Sequence, residues 1–381
     1  MLRQRGAAPV AIAMAGALVL AGCAKDSGDT GADAAGDGSS GGECVTAQAP
    51  PRADSSGRKS EVPTDVDASD LSVGLAYDVG GRGDASFNDA AAAGTDRAEK
   101  ELGVPEVTES TAVATEDESA KAQRLRQLAD QGSDPIIAVG YAYAPALKEV
   151  APDYPDTHFA IVDDNSVEAP NVTPLVFAEE QGSFLVGVAA AYKSDNCHVG
   201  FIGGVDTPLI NKFEAGFVQG AKAVSDDISV ETDYLTPAGD ISGFNDPGKA
   251  NVVASAQIDK GADVLYHAAG ASGSGMFEAA QAGGAKAIGV DSDQYEQDTV
   301  ADVRDVIMTS MLKRVDVAVF DYIAAVAGDN LDSLPERFDL SVDGVGYSTS
   351  GGMIDDIVPQ LEGYKQQIVD GEIEVSATPQ G

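Results

Sequence analysis

The sequence predicts an α/β protein built as two doubly wound lobes. Three observations carry that expectation. From Leu71 onward, short apolar segments alternate with longer helical stretches, the pattern of parallel strands covered by helices on both faces. The strand candidates are too many for one compact sheet, so two sheets are the economical arrangement. The chain has 381 residues, whereas single cores stop growing near ~250.

The N-terminus reads as an address. Arg3 and Arg5 precede an apolar run over 7–20, too short to span a membrane comfortably and therefore an export segment. It ends in Leu20-Ala21-Gly22-Cys23, which resembles a bacterial lipobox. That resemblance implies a signal peptide over 1–22, diacylglyceryl and palmitate chains on Cys23, and a lipid-anchored protein on the extracytoplasmic face. Residues 23–70 read as the lipidated Cys and an acidic spacer. From 24 on it is rich in Gly, Ser, Ala and Asp, with Pro50, Pro51 and Pro63; such a composition predicts disorder and a reach of roughly 40 Å. Cys44 and Cys197 are the remaining cysteines. Outside the cytoplasm two thiols usually pair, so a disulfide is expected; two free thiols are the alternative.

Apolar strand candidates follow at 72–76, 135–139, 158–162, 171–177, 198–202, 228–234, 262–267, 285–290 and 305–309. Helical stretches are expected at 87–102, 118–131, 143–150, 182–192, 210–224, 248–260, 273–282 and 312–326, where apolar positions recur at helical spacing.

In such sheets ligands bind beyond the carboxyl ends of the strands. The segments found there are distinctive. Tyr77-Asp78-Val79-Gly80-Gly81 follows the first strand, and Asp84-Ala85-Ser86-Phe87-Asn88 opens the helix after it. Gly140-Tyr141, Asp163-Asp164, Gly203-Gly204, His267-Ala268-Ala269-Gly270 and Asp291-Ser292-Asp293 end later strands, with Phe213 on a following helix. Carboxylates, an amide, rings and Gly-rich turns at one edge suit a small polar molecule with an aromatic face and hydroxyls. Each residue also has a bland reading. The Gly pairs permit positive φ, Asp291 and Asp293 could cap a helix, and Phe213 with Phe217 could be core.

These stretches, together with Glu180-Gln181-Gly182-Ser183-Phe184-Leu185, Lys212-Phe213-Glu214-Ala215-Gly216-Phe217 and Ser310-Met311-Leu312-Lys313-Arg314, resemble the basic membrane protein (BMP) family of ABC importer substrate-binding lipoproteins. The resemblance runs in order over about 71–375. It implies the type I periplasmic-binding-protein fold, two Rossmann-like lobes joined by a three-segment hinge: 71–178 plus 311–338, and 179–310 plus 339–381. It also implies a purine nucleoside ligand, an ABC permease with its ATPase as partner, and a monomer. Asp78, Asn88 and Asp163 then correspond to base-contacting residues, and Phe87 to a ring stacked on the base. Phe213 is taken as a second ring. Asp291 and Lys313 correspond to residues serving the ribose, the ammonium standing beside the Asp291 carboxylate. Tyr77 departs from the smaller residue common in relatives and is expected either to crowd the pocket or to add a contact.

Other classes fare worse. Asp and Glu number 62 against 24 Lys and Arg, a net charge of −38 that repels nucleic acid and anionic headgroups. Three histidines without ligand spacing argue against a metal site. A nucleophile elbow and a Walker A motif are both missing, so no enzyme and no cofactor are expected. A clamp serving a membrane receptor, or one binding a sugar, has the same sequence features and stays open.

Overall fold

The computed structural model describes residues 44–51, 62–113 and 115–379. The export segment and Cys23 lie outside them. The elements run β1 (Gly74–Tyr77), α1 (Phe87–Glu101), β2 (Thr108–Thr111), α2 (Glu118–Asp130), β3 (Ile136–Ala138), α3 (Ala144–Val150), β4 (Phe159–Val162) and β5 (Val172–Leu175). They continue with α4 (Glu179–Lys193), β6 (His198–Val205), α5 (Pro208–Val224), β7 (Ser229–Thr236), α6 (Pro247–Asp259), β8 (Val264–Ala268), α7 (Gly273–Gly283) and β9 (Lys286–Asp291). β10 (Ile307–Lys313), α8 (Val315–Ala327), β11 (Val345–Tyr347) and α9 (Val358–Val369) complete the chain.

Two sheets result, ordered β2-β1-β3-β4-β5 and β11-β10-β9-β8-β6-β7. All pairings are parallel except β10 with β11. In the first sheet alternate residues sort to opposite faces, as a pleated strand dictates. Leu75, Ile137 and Ala160 join the apolar layer that holds α1 and α8, while Ala76, Ile136 and Ile161 join the layer of α2 and α3. The second sheet divides likewise: Phe201, Tyr266 and Ile288 face the layer of α4 and α5, and Ile202, Leu265 and Ala287 face α6 and α7.

The chain passes between the sheets after β5, after β10 and after α8. The first and third crossings run side by side. Phe338 N–H donates to the Val176 carbonyl and Ala178 N–H to the Phe338 carbonyl, and the Phe177 and Phe338 rings stack 5.3 Å apart. Arg314 N–H donates to the Gly344 carbonyl, tying the second crossing to the third. α4 then lies against α5 so closely that a Cβ on Gly216 would stand 2.1 Å from the Glu180 carbonyl oxygen, a contact only glycine permits.

Several expectations need correction. β10 runs to Lys313 and α8 begins at Val315, so the expected helix start at 312 is late strand, and the expected lobe boundary at 310/311 falls inside β10. The apolar residues Met311 and Leu312 fit either period; pairing with β9 and β11 decides for strand. The described parts of the spacer are tied to the body at several points, although most of their residues are exposed. Cys44 is joined to Cys197 with Cα atoms 5.1 Å apart, and Thr46 and Ala47 N–H groups donate to the Val224 carbonyl at the end of α5. Val62 and Ala68 are buried, and Ala68 N–H donates to the Leu102 carbonyl beside α1. Among the described residues no helix is long and apolar enough to cross a membrane.

A cavity between the two sheets

The carboxyl ends of the strands of both sheets converge on one cavity, the position at which ligands bind in open α/β sheets. Asp78, Phe87, Asn88, Asp163, Phe213, Asp291 and Lys313 all line it. The structure therefore brings together every ligand-contact residue expected from the sequence. Tyr141, Ile210 and Phe244 line it as well.

The loop between β1 and α1 is organised by Asp84. Its carboxylate accepts from the N–H groups of Ser86 (2.9 Å), Asn88 (2.9 Å) and Asp89 (3.1 Å), capping the helix that opens at Phe87. Asp84 also accepts from the Asn88 amide at 2.9 Å, whose second donor goes to the Val79 carbonyl at 3.2 Å. The amide oxygen of Asn88 accepts from Asp78 N–H at 3.1 Å. Both Asn88 donors are thus spent inside the loop, and Asn88 fixes Asp78 rather than presenting free N–H groups to the cavity. One Asp78 oxygen accepts from Val79 N–H at 2.8 Å. The other faces Gly140, whose φ of +105° and lack of a Cβ leave it room. Burial pushes the Asp78 and Asp84 carboxyls up to about 6.

Asp163 and Asp291 hold φ values of +69° and +65°. Non-glycine residues rarely occupy this region, and where they do the strain tends to mark a functional turn. Lys313, 2% exposed, donates to Asp163 at 2.5 Å and lies 3.8 Å from Glu179. Its ammonium also stands 4.8 Å from the Phe87 ring centre, 5.3 Å from Phe177 and 5.5 Å from Phe213, within cation–π range. Desolvation opposes its charge, but the surrounding carboxylates outweigh that and raise its pKa. Asp163 is pushed up to about 6 by burial, against the pull of Lys313.

The expected Lys313–Asp291 contact is not the one made. Lys313 pairs with Asp163, and Asp291 instead accepts from the Ser86 hydroxyl at 2.7 Å. Ser292 donates back to the Ser86 carbonyl at 2.9 Å. Side-chain bonds therefore join the two sheets across the cavity, Ser86–Asp291, Ser292–Ser86 and Lys313–Asp163 among them. Tyr77 neither crowds nor contacts the cavity. Strand alternation turns it toward α1 and α8, where its hydroxyl donates to Glu109 at 2.8 Å. Its neighbour across the sheet, Tyr143, is also outside the cavity lining, unlike Tyr141. The buried His267 contacts Gln294 at 2.9 Å and is held neutral by desolvation, its pKa down to about 4. Neither it nor the other histidines line the cavity, and among the described residues no cluster could hold a metal ion.

A two-sheet α/β body with three crossings and a cavity at the strand ends between the sheets defines a solute-binding clamp of the type I periplasmic class. A solved ABC transporter solute-binding protein of Aeropyrum pernix superposes with a TM-score of 0.68 at 28% identity, covering 82% of this chain and 94% of that one. One from Conexibacter woesei, at TM-score 0.65 and 23% identity over 81% and 99%, shows the same fold. Residues 72–379 match the Bmp family model, described as ABC transporter substrate-binding protein PnrA-like. The chain is 35% identical to the CD4+ T-cell-stimulating antigen of Listeria monocytogenes over 81% of its length and 89% of the relative's. It is 30% identical to the ABC transporter nucleoside-binding protein BmpA of Lactococcus lactis over 84% of each. It is also 34% identical to an uncharacterised lipoprotein of Pyrococcus abyssi, over 74% and 70%. The chain belongs to the Bmp family: it is an extracytoplasmic substrate-binding protein of an ABC transporter, and not an enzyme.

Proposed function

We propose that the cavity takes a purine nucleoside, which the protein delivers to its permease while held at the membrane by a lipidated Cys23. The observation that carries this reading is the convergence of four rings, four carboxylates and one ammonium on one cavity, Phe87, Phe213, Asp78, Asp163, Asp291 and Lys313 among them. The base lies against Phe87 and Phe213, with Asp78 and Asp163 accepting from its N–H edges. Asp163 Oδ1 supports this role, being buried without a protein hydrogen-bond partner, a state that is costly unless a ligand donor meets it. Asn88 holds Asp78 in place. The ribose lies toward Asp291 and Lys313. An ammonium has three donors, so Lys313 can keep Asp163 and still reach a ribose oxygen. The name of the Lactococcus relative points the same way.

The clamp closes by hinge motion at the three crossings, and the permease reads the closed form. Because carboxylates outnumber ammonium groups around the cavity, a neutral ligand suits it better than a phosphorylated one. A thermal-shift screen of nucleosides, free bases and free sugars tests the reading. A ligand at ~100 times its dissociation constant adds about 2.7 kcal/mol, so the nucleosides should raise the melting temperature most. A shift with free sugars alone would replace the nucleoside by a sugar.

A further inference from the structure

We propose that Glu179 is the positioning residue for Lys313, holding the ammonium in place when the lobes part; this rests on the nucleoside reading above. Glu179 opens α4 at the first crossing and is wholly buried. It adjoins the Glu180-Gln181-Gly182-Ser183 motif, none of which reaches the cavity. A carboxylate so buried needs partners. One oxygen accepts from Lys212 at 2.9 Å. The other has no hydrogen-bond partner and faces Lys313 from 3.8 Å. Direct contact with the ammonium belongs to Asp163.

The two carboxylates that share Lys313 stand on different lobes. Asp163 follows β4 in the first sheet. Glu179 begins α4, which packs on β10, the strand that carries Lys313. Any rotation that separates the sheets removes Asp163 from Lys313 and leaves Glu179 where it is. A shift of about 1 Å then brings the ammonium into hydrogen-bond range of Glu179. Lys313 stays charged and aimed at the cleft, instead of freeing its long side chain before each binding event. Closure hands it back to Asp163 and the ligand. Such preorganisation favours only ligands that Lys313 touches.

Calorimetry with a nucleoside and its free base, on Glu179→Gln, Lys313→Met and the double variant, tests this. Lys313→Met should weaken the nucleoside more than tenfold and the base little. Glu179→Gln should weaken the nucleoside about fivefold or more and the base less than twofold, and should add nothing in the Lys313→Met background. Glu179→Asp should restore part of the loss. An equal loss for both ligands, or a Glu179→Gln effect that persists without Lys313, overturns the inference while leaving the nucleoside reading intact. If Lys313→Met leaves the nucleoside-to-base ratio unchanged, the ribose role of Lys313 falls, and the inference with it. Should Glu179→Gln fail to fold, Lys212→Met serves instead. Glu179 then has only Lys313, so the ratio is kept or rises; a fall as large as that of Lys313→Met overturns the inference.

Discussion

Replacing Asp291 by Asn separates the charge of this residue from its shape. Asn tolerates the left-handed backbone that Asp291 adopts at φ +65°, whereas Ala there adds strain. The Asn carbonyl can still accept from Ser86, so the bond between the lobes (2.7 Å in the parent) is kept. What is lost is an ionised acceptor for the ribose hydroxyls. A hydrogen bond to a charged group contributes roughly 1.5–3 kcal/mol, and 1.4 kcal/mol is a decade in affinity. One such bond therefore predicts a loss of about 10- to 150-fold for a nucleoside. The free base offers Asp291 nothing and should bind variant and parent alike. Ser86→Ala is the counterpart: it removes the interlobe bond without touching ribose, so both ligands should weaken together. Isothermal calorimetry reads both, and is the better probe because the chain has no Trp. An unchanged nucleoside-to-base ratio in Asp291→Asn would falsify the placement of the sugar.

Three further outcomes are expected. Cys23→Ala should move the protein from membrane to soluble fractions, and unchanged membrane association would remove the lipid-anchor reading. The mature protein should show no maleimide-reactive thiol until reduced; two thiols titrating natively would mean that Cys44 and Cys197 are unpaired in solution. The third outcome concerns Asp78, whose carboxyl burial raises from 3.8 to about 6. The folded protein thus holds this proton more tightly than the unfolded chain. That contribution is fully present below pH ~4 and is lost as pH rises through 6. Asp78→Asn lacks the loss, so urea melts should show its stability gaining on the parent by roughly 2 kcal/mol between pH 4 and pH 7. A pH-independent difference would show that Asp78 ionises without penalty.

The interior strands were legible because both their faces are buried, and β3 and β4 read as unbroken apolar runs. The edges were not. β2 is Thr-Glu-Ser-Thr, half exposed, and its place depends on pairing with β1 rather than on its composition. β11 has three residues, and the polar helix α9 shows little beyond Leu361, Tyr364 and Ile368 to mark a buried face. At the cavity, residues following strands could be gathered from topology alone. Tyr141 stood among the strand-end residues without being given a contact, whereas Glu179 and Phe244 were missed because their proximity to the ligand residues comes from how the two sheets face each other, which no local pattern encodes. The same holds for Ser86 and Asp291, 205 positions apart. Asp84 had a visible cue, an acidic residue just ahead of a helix start, but its part in fixing Asn88 did not show.

The close seating of α4 on α5 has a mechanical meaning. Backbone meets backbone at Gly216 and Glu180, with no side chain between to act as a cushion. α4 starts at the pivot and α5 carries Phe213, so the ring and the pivot belong to one stiff arm. Such an arm transmits rotation without bending: a small angular change at 176–180 displaces the far end of the second lobe by an amount set by its length. The permease would then meet a change in the spacing of two rigid surfaces, the same for every ligand that lets the arm swing fully home.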